Sequence, residues 1–100
     1  MTDRQGYLYI LRDPNLPQNV LKIGRTVCLK RRLKGYPSGS IYLDTFGPCV
    51  DCHDAERSLI RDFETRYMLY KGKEYFKGNA KEMETIFKNF CRQDPSPMLC

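Results

Sequence analysis

At 100 residues the chain has room for one hydrophobic core, and 41% hydrophobic with 29% charged residues is the balance of a globular domain, not of a disordered or fibrous chain. No apolar run approaches the ~18 residues of a membrane span, and the start MTDRQGYLYIL lacks the charged-then-apolar layout of a signal peptide, so an intracellular protein with no membrane partner is expected. The net charge of +5 is unevenly spread: no Asp or Glu falls between Pro14 and Leu43, where Lys22, Arg25, Lys30, Arg31, Arg32 and Lys34 sit, which marks either a footprint for a polyanion or a solvated face.

GYLYILRD alternates and is rich in aromatic and aliphatic side chains, the pattern of a strand. PNLPQN follows as a loop, since its prolines have no place in a central strand. VLKIGRT is a second strand, and the short connection suits an antiparallel pair. Period-two alternation then puts Leu8 with Ile10, and Leu21 with Ile23, on one face, leaving Tyr7, Tyr9 and Lys22 on the other. VCLKRRLKGY reads as a helix with Leu29, Leu33 and Tyr36 on one stripe, ended by Gly35-Tyr36-Pro37. Lys30, Arg31 and Lys34 point away from that stripe, while Arg32 lies on its edge, towards the sheet.

IYLDTF is a third strand, and Asp51 with Asp54 then caps a helix running to about Tyr67. YKGKEYFKG is a turn with a short extended piece. Asn79 with Glu82 signals a last helix, whose Met83, Ile86, Phe87, Phe90 and Cys91 recur at the spacing of a core-facing stripe. The order β-β-α-β-α-(β)-α predicts one α+β domain over residues 1–91, a small, largely antiparallel three-stranded sheet flanked by helices, with a flexible tail at 92–100.

The stretch CVDCHDAE can be read from either end. From the left, Cys49, Cys52 and His53 offer three zinc ligands, with Cys28 or Cys91 as a fourth, and a zinc-stabilised interaction protein is one outcome. A structural zinc site usually shows two spaced ligand pairs, whereas only one pair is present here. A haem attachment site would need export, and a thioredoxin-like pair would need a βαβ unit; neither context is present. From the right, the helix wheel puts Glu56 in the middle of an apolar face, one turn before Ile60 and two before Phe63. A lone inward carboxylate costs several kcal/mol unless compensated. It is either half of a buried ion pair with an arginine of the basic segment or a metal ligand at the rim of a cleft.

Periodicity thus turns a tyrosine, a lysine, an arginine and a glutamate inward. Phosphodiester hydrolysis needs that set: a proton-transfer group, a cation for the phosphorane charge, and a carboxylate for a hard divalent metal. YLYILRD followed by VLKIGRTVCLKRRL and AERSLIRDF resembles the GIY-YIG nuclease domain over about Gly6 to Phe76, in the phage- and large-virus-type branch whose second motif is often K-I-G. The resemblance implies a DNA-binding endonuclease using Mg²⁺ or Mn²⁺. In it Tyr9 matches the first-motif tyrosine, or Tyr7 if the register slips by two, Arg32 the helix arginine, and Glu56 the metal-binding glutamate. Lys22 stands where the family has its second tyrosine; its amine would act as base through a lowered pKa or would grip phosphate. Arg25, Lys30, Arg31 and Lys34 would hold the DNA backbone. The family asparagine that follows an Arg-Tyr pair is absent, Met68 following Arg66-Tyr67, and GKEYF resembles the branch's tail. A non-catalytic DNA-binding module on the same fold is the alternative.

Overall fold

The computed structural model describes residues 6–92, in the order β1 (Gly6–Arg12), β2 (Val20–Thr26), α1 (Leu29–Leu33), β3 (Ile41–Cys49), α2 (Cys52–Arg66), β4 (Met68–Lys71), β5 (Tyr75–Lys77) and α3 (Ala80–Arg92). Its strands form one antiparallel sheet, β3-β1-β2-β5-β4. The α+β class and the antiparallel pairing are as expected, but the sheet has five strands where three were predicted. Three-residue β5 falls in the short extended piece read in YKGKEYFKG, whereas four-residue β4 carries too little alternation to register in the sequence. They form because the outer edge of β2 needs a partner: Phe76 of β5 lies opposite Leu21 and is fully buried. Apart from Arg92, which ends α3, the predicted tail lies outside the described residues.

Alternation sorts the side chains of β1 and β2 as expected. Leu8, Ile10, Leu21 and Ile23 join Leu59 and Phe63 of α2 and Met83 and Phe87 of α3 in one core. Fully burying such a side chain is worth roughly 1.5–3 kcal/mol, so this face holds both long helices on the sheet. At the start of α3 the Glu82 backbone N–H donates to Asn79 Oδ1 at 2.9 Å, the predicted cap. At α2 the expectation holds only in position: Asp51 is the N-cap residue, but its side chain makes no capping bond.

The basic helix is shorter than predicted. After Leu33 the N–H groups of Lys34, Gly35 and Tyr36 bond three residues back, to the carbonyls of Arg31, Arg32 and Leu33, so the helix tightens into turns before Pro37. This tightening carries Tyr36 back over the sheet. On the sheet face opposite the core, Tyr9 stands across from Gly24, and a side chain at Gly24 would sit 2.4 Å from the Tyr9 ring. Only glycine lets that ring lie across β2.

Candidate active site

Where β2 runs past its pairing with β5, Tyr9 (β1), Lys22 and Gly24 (β2) of this second face meet Arg25 (β2) and Glu56 (α2) from the core side, and with Arg32 (α1) and Glu74, just before β5, they line a cleft of about 220 Å³. The four side chains that periodicity turned inward therefore meet. Tyr7 does not line the cleft: it lies one alternation further along β1, beside Gly47. A larger, mostly apolar concavity of about 660 Å³, lined by Leu8, Phe46 and Phe90 among others, lies apart from these ionisable groups.

Tyr9 is fully buried, and Arg32 Nε donates to its oxygen at 3.3 Å. Its oxygen also hydrogen-bonds the Tyr36 hydroxyl. Burial and that bond push Tyr36 up to about 12. Arg32 and Tyr36 thus converge on one phenol oxygen. The Arg32 guanidinium lies 5.1 Å from the Tyr36 ring centre, and Tyr42 of β3, packed on Tyr9, donates to the Leu29 carbonyl at 2.8 Å. That last bond ties α1 over the cleft. Tyr36 was read only as part of a helix stripe. Its position four residues after Arg32, on the same side of one turn, is the signal that could have found it.

Lys22 departs from expectation. Its ammonium is 2.8 Å from Glu74 Oε1 and its side chain is only 7% exposed. It sits among three tyrosine rings, 5.4, 5.7 and 5.8 Å from the centres of Tyr9, Tyr36 and Tyr75. Burial works against the charge, but the bond to Glu74, with Tyr9 and Tyr36 adding, overcomes it and holds the amine above the ordinary lysine range. A lysine base with a lowered pKa is therefore corrected to a fixed cation. Its pairing stabilises the fold below the ordinary lysine pKa, and that contribution is lost only as the pH climbs beyond it. NMR titration of the Lys22 side chain should show no deprotonation through pH ~9, the ordinary value being ~10.4; a midpoint near neutrality would restore the base.

Glu56 is buried, with Oε1 3.1 Å from Arg25 Nε. Burial first, then Glu74, hold its carboxyl above the usual carboxylate range, against the opposing pull of Arg25. Both readings of this residue meet here: it has an arginine partner, and it faces the cleft. Arg25, expected on DNA, is that partner. Among the described residues no three His, Cys, Asp or Glu side chains converge on a point. One or two carboxylates nevertheless suit Mg²⁺, which keeps several waters and takes its remaining oxygens from substrate phosphate. The donor set fits that ion only with DNA present.

The left-hand reading of CVDCHDAE finds no such convergence. Cys49 Sγ donates to the Gly6 carbonyl at 3.5 Å, Cys52 is buried, and His53 is exposed. Burial and its bond to Cys49 push the Cys52 thiol up to about 12, which keeps it protonated and unreactive.

Lys30, Arg31 and Lys34 are exposed on α1, and none is paired with a carboxylate among the described residues. If they touch phosphates, neutralising all three should reduce the slope of log K against log [salt] by ~2–3. An unchanged slope in DNA-binding titrations would place the DNA elsewhere.

A small antiparallel sheet whose polar cleft joins phenol, ammonium, guanidinium and carboxylate beside a basic helix has the build of a nuclease-like module. The family model described as the T5orf172 domain matches residues 6–91, and the chain belongs to that family, one of DNA-binding, nuclease-like modules. No curated protein and no solved structure matches it. No helix among the described residues is long and apolar enough to cross a membrane.

Proposed function

We propose that the chain is a GIY-YIG-type DNA endonuclease that hydrolyses phosphodiester bonds with Mg²⁺ or Mn²⁺. The observation that carries this reading is the convergence of Tyr9, Lys22, Arg32 and Glu56 on one cleft beside an unpaired basic helix. In it the scissile phosphate lies against Arg32 and Lys22, whose fixed charges face the negative charge that builds on the pentacovalent phosphorus. Tyr9 acts as phenolate, its negative oxygen held by the Arg32 N–H and the Tyr36 O–H, and becomes the neutral phenol as it takes the proton of the attacking water. Glu56 would hold the metal, which when bound supplies Lewis-acid stabilisation of phosphoryl oxygens. Arg25 is then free to turn from Glu56 to a neighbouring phosphate.

One observation favours the alternative of a DNA-binding module without catalysis: Glu56 and Glu74 are already neutralised by Arg25 and Lys22. End-labelled duplex DNA separates the two on a denaturing gel. The nuclease reading gives cut strands with Mg²⁺ present, and the binding module gives intact strands from DNA that the protein demonstrably holds.

A further inference from the structure

The sheet face that carries the cleft continues outward onto β5 and β4. Residues opposed across neighbouring strands share a face, so Lys22, Tyr75 and Lys71, in register across β2, β5 and β4, form one row, and Val20, Lys77 and Met68 form the next. Helices α2 and α3 pack on the other face, and α1 is tied over β1 and β3 through Tyr9 and Tyr42. The β5–β4 half of the site face carries none of these contacts.

Its surface has two properties at once. It is apolar along the edge strand, with Met68 70% exposed and Tyr70 41%. It is also positive: Lys71, Lys73 and Lys77 are exposed, and between Thr65 and Lys81 the only acid is Glu74, which is bonded to Lys22. The patch is continuous with the cleft, because the Lys71 ammonium lies 4.8 Å from the centre of the Tyr75 ring, the ring that also flanks Lys22. Gly72, at φ +58°, turns the hairpin with open space around it.

We infer that the β4–β5 hairpin binds a single-stranded DNA segment leading into the cleft, so that the preferred substrate is a duplex bearing an unpaired strand. Duplex DNA would offer this surface phosphates and sugars, which satisfy lysines but leave Met68 and Tyr70 uncovered. An unpaired strand supplies both halves: base faces lie on aromatic and apolar side chains while its phosphates reach flanking cations. A second copy of the chain is the other natural occupant of an exposed edge strand. Pairing two β4 strands, however, would crowd Lys71 and Lys73 of each copy against one positive edge, and opposed like charges disfavour that. The inference rests on the cleft being the DNA site, but not on catalysis.

Its test is therefore a metal-free binding measurement on the full chain. Fluorescence anisotropy compares a blunt duplex with the same duplex carrying a single-stranded extension of about ten nucleotides, within the usual site size. The extension should tighten binding ~10-fold or more, the scale of stacking one or two bases. Met68→Ser with Tyr70→Ser should abolish that gain and leave blunt-duplex affinity unchanged; both residues are exposed, and Met68→Ser alone serves if the pair unfolds. Neutralising Lys71, Lys73 and Lys77 should reduce the salt slope by ~2–3 on extended DNA only. Equal affinity of the parent for both DNAs, or a gain that survives the apolar substitutions, overturns the inference. So does a parent dimer, seen by light scattering, that Met68→Ser with Tyr70→Ser dissolves. Normal duplex binding without the preference would sink this inference and leave the nuclease reading standing.

Discussion

Replacing Tyr9 by phenylalanine should slow Mg²⁺-dependent cleavage by ~10²-fold or more, the usual size of a lost general acid–base group. The substitution keeps the ring, and with it the contact across Gly24 and the packing on Tyr42. What goes is the one oxygen on which Arg32 and Tyr36 converge. Arg32 is exposed and Tyr36 half-buried, so both can turn to water, and the fold should lose only about 1 kcal/mol, the net worth of a typical hydrogen bond. DNA affinity should stay near the parent's, because the cations that face phosphate remain. Single-turnover rates measured beside affinities decide it: rate and affinity falling together would make Tyr9 a structural residue.

Glu56→Gln should remove Mg²⁺-dependent nicking while DNA binding stays equal or tightens, since a negative charge leaves the phosphate site. A carboxyl held above its unfolded value contributes stability at pH below that value and loses it as the pH rises through the folded value. Glu56 is such a group, raised by burial and by Glu74 despite Arg25, so at neutral pH its charge is a burden. Its partner, unlike Glu56, is not buried: the Arg25 side chain is 43% exposed and can be rehydrated. Breaking an ion pair of that kind is worth ~0–1 kcal/mol, far from the ~3–5 kcal/mol of a stranded buried charge. The Tm of Glu56→Gln should therefore match or exceed the parent's at pH 7. A protein that keeps its Tm, binds DNA and nicks at the parental rate would exclude Glu56 as the metal-holding residue.

What the sequence makes legible is whatever repeats at short period. Alternation in β1 and β2 separates the core face from the site face, and the stripe of α3 marks Met83, Phe87 and Cys91 as buried. The wheel of α2 finds Glu56. Contacts between distant residues leave no such trace. Glu74 is 52 residues from Lys22, and nothing local announces that its carboxylate will hold that amine charged. The pairing arises because β5 adds to β2, and a three-residue extended piece gives no sign of which strand it will join. The same limit hides Tyr36, which reaches Tyr9 only because α1 tightens early. Lys22 is the instructive miss: a lysine near two arginines suggests a lowered pKa, and one unforeseen carboxylate reverses the sign.

The central claim is that this cleft cuts DNA with a divalent metal, and a Mg²⁺ titration of single-turnover plasmid nicking tests it most directly. The account predicts a nicking rate that rises and saturates with Mg²⁺, is supported by Mn²⁺, and falls to background with chelator while the DNA stays bound. DNA held by the folded protein but left supercoiled at every metal concentration would contradict it.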